Sequence, residues 1–377
     1  MSSTAPGGPL SGLLVADFSR VLAGPFATMM LADLGARVVK VERPVLGDDS
    51  RGYGPFTGGR SLYFARVNRG KESVALDLKD PADLAVARRL AARADVVVEN
   101  YRPGVMARLG LGAADLLATN PRLVCCSISG FGQTGPWSQR PAYDAVVQGM
   151  SGIMAISGAA GGAAVKPGVP LADLSAGLYA FGGITSALLG VARTGVGTHL
   201  DVALYDTTVS LLEGAASAHF ATGVDPVAIG NAHFSIAPFD TFGCADRDIT
   251  ICAANDALFA ALLRVLDVPG DSRWDSNALR HEHREGLKAA LEARLRTRPA
   301  EHWLGELDLA GVPCGPISGV AEALGSPQTT ARRMVVRAGG LPVPGQPLKL
   351  STHDDPLERR AAPALDEHGA AVRKEFG

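Results

Sequence analysis

The chain has no Cys-x-x-Cys pair; its five cysteines, Cys125, Cys126, Cys244, Cys252 and Cys314, are scattered and odd in number, which gives no thiolate metal cluster and no evident disulfide framework. Neither sign of charge is in excess: 36 Lys and Arg stand against 38 Asp and Glu, a formal net charge of -2. Nothing basic therefore calls for nucleic acid or a membrane surface as partner. The opening MSSTAPGGPLSG lacks a charged n-region and an apolar h-region; it reads as a loose tail and not a signal peptide, and the expected location is cytoplasmic. Gly-x-Gly-x-x-Gly is missing from the turn SRVLAGP (19–25) after the first apolar run, so the dinucleotide fingerprint is absent. His281 and His283 fall in the charged stretch ALRHEHREG, where a solvated helix face is the reading and a metal site is not expected.

What is present is an ordinary globular composition, 377 residues with 47% hydrophobic and 20% charged, enough for two or three domains and a sizeable core. Short apolar runs at 12–18, 36–41, 73–78, 95–99, 122–129 and 199–204 alternate with helical patterns such as the one opened by Pro25 and the one capped by Asp80 before Pro81. Strand and helix alternation with apolar strands predicts an α/β fold around a doubly wound parallel sheet. Its ligand belongs beyond the carboxyl ends of the strands, so the loops at 19–25, 43–60, 100–104, 130–136 and 140–145 are expected to share one rim. Asp206 is read as the cap of a long apolar helix to about Ala221. From Thr222 to Ser235 the composition turns to Gly, Asp, Pro and Asn, which marks a domain boundary. A hairpin around CADRD, helices near 256–266, 284–296 and 300–309, and a crossover GVPCGPISG (311–319) follow, then a charged, Ala-rich tail expected to pack as a helix on the first domain.

The stretch KPGVPLADLSAG (166–177) runs from a Pro/Gly segment that cannot be helical into LSAGLYAFGGITSALLGV (174–191), apolar almost all round and read as a buried helix better suited to a packed core than to lipid. Asp173 stands at its entrance. One reading is an N-cap. The other uses the same position for a nucleophile, a carboxylate kept ionised by the helix dipole.

Eight blocks carry a resemblance that decides between them: DFSRVLAGP (17–25), GARVVKVERP (35–44), NRGKESVALDL (68–78), ADVVVENYRPG (94–104), NPRLVCCSISGFGQTGP (120–136), PAYDAVVQGMSGIM (141–154), GVPLADLSAGLYA (168–180) and GVPCGPI (311–317). In this order they resemble the family III CoA-transferases, which include formyl-CoA:oxalate and carnitine CoA-transferases and, as a divergent branch, α-methylacyl-CoA racemase. The resemblance implies a Rossmann-like large domain (1–222) joined to a smaller α+β domain (223–325), with 326–377 returning to the large one, and two such rings interlocked as a homodimer. It implies coenzyme A and acyl-CoA as substrates with no permanently bound cofactor, a carboxylic acid as acceptor, and Asp173 as the nucleophile. Arg43, Asn68, Arg69, Lys71, Asn100, Tyr101 and Arg108 fall at or near positions that hold the CoA nucleotide and pantetheine arm in relatives. Tyr143 and Asp144 match a pair lining the acyl pocket. Leu22 stands where the oxalate-specific enzyme has a glutamine, which makes oxalate a poor guess and short to medium mono- or dicarboxylic acids such as succinate a better one. Residues 230–238 occupy the place of a glycine-rich lid without its glycine run, and His233 is a candidate donor there.

Two rival functions remain at this stage. Racemisation needs an acid and a base on opposite faces of the α-carbon; the racemase branch has histidine before its aspartate where this chain has Tyr143, so that activity is not expected. A CoA-binding module without turnover needs no carboxylate at 173, and trapping a covalent adduct there separates the two.

Overall fold

The computed structural model describes residues 7–377; the first half of the tail read as loose lies outside the described residues. The valine-rich runs become strands β1 (Leu14–Asp17), β2 (Arg37–Glu42), β3 (Glu72–Ala75), β4 (Val96–Glu99), β5 (Val124–Ser129) and β6 (Thr198–Ala203). They pair in parallel in the order β3-β2-β1-β4-β5-β6. The order turns back between β1 and β4, and beyond the carboxyl ends of such a pair a doubly wound sheet opens its ligand crevice.

The inner strands read as continuous apolar runs because both faces are covered, whereas the edge strand β6 alternates and leaves His199 and Asp201 exposed. Val39, Val41, Val74 and Val97 pack on one side against Leu90 and Ala91 of a helix over Pro81–Arg93 and against Val372 and Phe376 of the C-terminal helix Gly369–Phe376. Val38, Val96, Val98, Val124 and Ile128 pack on the other side with Ala27 and Leu31 of α1 (Ala23–Asp33). Further helices of this region are α2 (Leu62–Asn68), α3 (Asp144–Met150) and the 24-residue α4 (Leu171–Thr194). Ala172, Ala176, Ala180 and Ile184 turn one face of α4 onto the same core layer. At Gly177 a Cβ would lie 2.9 Å from the Ala23 carbonyl oxygen and from the Phe26 ring; α1 and α4 touch there because no side chain intervenes.

The chain divides into two compact units. One takes the chain up to Ile153, Lys166–Ser217 and Ser326–Gly377; the other takes Met154–Val165 and Ala218–Gly325. The second unit has its own core, built on an antiparallel sheet of β7 (Phe239–Gly243), β8 (Asp248–Cys252) and β9 (Cys314–Pro316) in the order β9-β8-β7. Three of its helices run Asp256–Leu266, Arg284–Leu295 and Ala300–Leu309. Three expectations change. The crossover at 311–319 contains an edge strand, a position that tolerates Pro316. The long helix expected from Asp206 is two helices, Leu204–Ser210 and Glu213–Thr222, broken at Leu211 and Leu212, where no Gly or Pro gives warning. Met154–Val165, which the resemblance places in the large domain (1–222), groups with the second unit.

Candidate active site

Helix α4 begins at Leu171, three residues earlier than its apolar pattern suggests, and Pro170 occupies the N-cap position without a side-chain hydrogen bond. The free N–H groups of its first turn are taken by a carboxylate from another segment: Asp144 Oδ1 accepts from Ala172 N at 2.8 Å and Asp173 N at 3.3 Å. Gln148 Nε2, one turn along α3, holds the other oxygen of Asp144 at 2.6 Å. The N-cap reading of Asp173 is thereby replaced: the cap is Asp144. Asp173 is left in the third position of the helix, half-buried, its carboxylate accepting no hydrogen bond among the described residues. Burial, and then the charge of Asp144, push its carboxyl up to about 7. The expectation of a carboxylate kept fully ionised by the helix end is corrected accordingly, because the dipole is already answered by Asp144. Tyr143, the N-cap residue of α3, points its ring to solvent at 79% exposure.

The rim expected from the strand order is assembled by specific bonds. Asn100 grips the backbone of Arg20, accepting from its N–H and donating to its carbonyl, both at 2.8 Å. Asp48 accepts from Val21 N at 3.1 Å, and Val21 has φ +68, an unusual conformation for a β-branched residue. Leu22, next in the chain, is 2% exposed and packed inside. A side chain in the interior presents nothing to a substrate, so the argument against oxalate drawn from Leu22 loses its basis.

Beneath the rim lies a charged layer that the sequence reading did not anticipate. Lys40, fully buried, donates to Asp48 at 2.8 Å and to the Ser19 carbonyl at 2.7 Å. Lys71, equally buried, donates to Asp17 at 2.9 Å, Thr28 Oγ1 at 2.8 Å and Asn68 Oδ1 at 2.9 Å. Arg51 pairs with Glu42 at 2.7 Å, and Arg69 with Asp33 at 2.5 Å. Burial drags Lys71 down to about 8 against the pull of Asp17. Burial works against ionised Asp17 too, but Lys71 and Lys40 outweigh it and its carboxyl ends below the usual range. Asn68, Arg69 and Lys71, expected to face a cofactor, are thus interior residues with their donors committed.

Three other nucleotide candidates do converge. Arg43, Tyr101 and Arg108 line one cleft of about 300 Å³ with Lys79, the carboxylates of Glu42 and Asp77, and an apolar floor of Val41, Leu76, Leu78, Val105 and Leu109; Glu42 is already paired with Arg51. Arg43 and Tyr101 also line a neighbouring cleft of about 270 Å³ with Ser19, Arg20, Lys40 and Asp49. Cations around an apolar floor with one aromatic ring match a phosphorylated nucleotide. Lys79 escaped notice because it lies in a turn read only as the prelude to a helix. His233 belongs to the second unit: its Nδ1 accepts from Ser235 N and Ile236 N, each at 3.1 Å, and its ring stacks on Phe234 with centroids 4.5 Å apart. It lines a cavity of about 450 Å³ with Asp240, Lys288 and Arg296. Among the described residues no group of three His, Cys, Asp or Glu is arranged to hold a metal.

This arrangement has relatives. The model of CoA-transferase family III matches residues 10–369. An acetyl-CoA:oxalate CoA-transferase of Acetobacter aceti is 51% identical over 375 residues, covering 98% of this chain and 96% of the relative. A human succinyl-CoA:glutarate CoA-transferase is 40% identical over 376 residues, covering 97% and 86%. A CAIB/BAIF family protein from Brucella suis superposes with a TM-score of 0.88 at 41% identity, covering 99% of this chain and all of that one. The chain belongs to CoA-transferase family III. It is accordingly a transferase of acyl-CoA metabolism.

Proposed function

We propose that the protein moves CoA from an acyl-CoA thioester to a carboxylic acid through covalent intermediates on Asp173. An oxygen of the Asp173 carboxylate attacks the thioester carbonyl carbon; the tetrahedral intermediate expels CoA thiolate and leaves a mixed anhydride. The thiolate adds to the aspartyl carbonyl and releases the donor as its free carboxylate, leaving an aspartyl-CoA thioester. The acceptor carboxylate attacks that carbonyl, thiolate departs again, and its return onto the acceptor carbonyl frees the new thioester and restores Asp173. A carboxylate is a weak nucleophile, but held beside the thioester it gains effective molarity equivalent to roughly 7–11 kcal/mol. The observation that carries this reading is the carboxylate of Asp173 itself, free of hydrogen bonds in a helix turn that Asp144 has already capped.

The cleft of Arg43, Lys79, Tyr101 and Arg108 is assigned to the CoA nucleotide. CoA serves as substrate, with no resident cofactor. Relatives named for oxalate and glutarate support small dicarboxylic acids as the acyl groups, with oxalate restored beside succinate and glutarate. We further propose an interlocked homodimer in the cytoplasm. Only a third of the most apolar stretch of α4 is buried, Leu178, Tyr179 and Leu189 stand exposed on it, and the helix Glu213–Thr222 has no buried residue; a second copy would cover such faces.

The test is chemical trapping. Incubation with succinyl-CoA or oxalyl-CoA, quenching with hydroxylamine or borohydride, and peptide mass spectrometry should place a modification on Asp173. Absence of any adduct across a donor series would leave a CoA-binding protein without turnover.

A further inference from the structure

Two arginines converge on one carboxylate at the rim. Arg20 Nη1 lies 2.7 Å from Asp49 Oδ2, and Arg43 Nη2 lies 2.5 Å from Asp49 Oδ1. All three residues line the 270 Å³ cleft, whose other charges are answered from within: its Lys40 is paired with Asp48 and its Glu42 with Arg51. The Arg20 and Arg43 side chains are 51% and 53% exposed and that of Asp49 26%, so a solute can reach them. Ion pairs this exposed contribute little to stability, yet the backbone carrying them is firmly held. On one side of Asp49, Asp48 is fixed to buried Lys40 and accepts from Ser50 N at 2.8 Å; on the other, Arg51 is fixed to Glu42. Asn100 grips the backbone of Arg20, and Arg43 Nε donates to the Gly47 carbonyl at 3.0 Å. Two guanidinium groups set a carboxylate's width apart make an anion site, and Asp49 fills it.

We propose that a phosphate group of CoA takes the place of the Asp49 carboxylate between Arg20 and Arg43. Asp49 is then an internal stand-in, which holds the two cations ready while the cleft is empty and weakens the bound nucleotide enough to let it leave. The assignment rests on the reading of the adjoining cleft as the CoA nucleotide site. The two clefts share Arg43 and Tyr101, and CoA carries phosphate in two places, on the ribose and in the diphosphate chain, so one molecule calls for cations in both. A phosphate outcompetes the carboxylate because it brings more charge and more acceptor oxygens to the same donors.

The experiment is calorimetric titration of CoA, dephospho-CoA and pantetheine into wild type and Asp49→Asn, which keeps the size of the side chain and removes its charge. Asp49→Asn should lower Kd for CoA by roughly 3- to 10-fold at low salt, with the gain fading as salt is added, and should leave pantetheine unchanged. Arg20→Gln should weaken CoA and shrink the gain from Asp49→Asn, as coupled residues do. A gain kept by dephospho-CoA assigns the diphosphate to the arginine pair; a gain lost with it assigns the 3′-phosphate. Unchanged or weaker CoA binding by Asp49→Asn, an equal gain for pantetheine, or a gain untouched by Arg20→Gln would overturn the role of Asp49. Lys79→Ala, titrated alongside, separates that failure from a misplaced nucleotide. If Lys79→Ala weakens CoA while Asp49→Asn does not tighten it, the cleft stands and Asp49 alone is wrongly assigned; if Lys79→Ala binds CoA like wild type, the nucleotide reading fails and this proposal falls with it.

Discussion

Two buried or half-buried aspartates of the same unit, Asp17 at the end of β1 and Asp173 in the first turn of α4, face opposite circumstances. Asp17 is fully enclosed, yet it accepts from Thr28 at 2.7 Å and Lys71 at 2.9 Å and also from Ser19, and its carboxyl lies below the usual range. Asp173 keeps some contact with solvent, yet with no donor on its oxygens and Asp144 beside it, its carboxyl is pushed up to about 7. Burial raises both; partners decide the outcome. A carboxylate built into the scaffold has its lone pairs spoken for, whereas one that must attack a carbonyl has to keep them available.

The strongest way to break the contrast is at Asp173, the proposed nucleophile. Asp173→Ala should reduce transfer to background while CoA affinity, read by calorimetry, stays within a few-fold; a folded variant with substantial turnover would move the chemistry elsewhere. Next in size is the scaffold. Lys71→Met strands Asp17 in the interior and should cost about 3–5 kcal/mol in denaturant unfolding, as removal of one partner from a buried pair does. Adding Asp17→Asn should recover part of this, a recovery that no exposed pair would show.

The pH dependence sharpens the comparison. Neutral Asp173 cannot attack, so kcat/KM should fall as pH drops through about 7 and level off above it. Asp144→Asn removes the neighbouring charge while keeping an oxygen for the helix cap, and should move that limb to lower pH. Stability runs the other way. The carboxyl of Asp173 is raised on folding, so its penalty is absent below its unfolded value of 3.8 and complete above about 7. Asp173→Asn should therefore raise the melting temperature at pH 8 and leave it unchanged near pH 4. The smallest effect is expected at the cleft proposed for the nucleotide, where Lys79→Ala should raise KM for the acyl-CoA by roughly 3- to 10-fold, the effect diminishing as salt is added.

Much of the framework was legible in the chain. Inner parallel strands covered on both faces become apolar runs rich in valine, and in the second unit the helices expected near 256–266, 284–296 and 300–309 are found at Asp256–Leu266, Arg284–Leu295 and Ala300–Leu309. The position of Asp173 at a helix start was also legible. What caps that start was not, because Asp144 lies 29 residues away and no local pattern shows which carboxylate will meet which helix. The same limit explains Asn68, Arg69 and Lys71. Their spacing before a strand says that cations are present, but only the folded chain shows that Asp17 and Asp33 have claimed them. Lys79 was overlooked for the converse reason, since it is an unremarkable residue until Arg43 is brought beside it.

The missing side chain at Gly177 sets a dimension of the fold beside Asp173. One turn from Asp173, the backbone of α1 comes so close that a methyl group would collide with the Ala23 carbonyl and the Phe26 ring. The gauge between the two helices is thus held by an omission, and any residue other than glycine there would act as a wedge, widening the gap without altering Asp173 or Asp144 themselves.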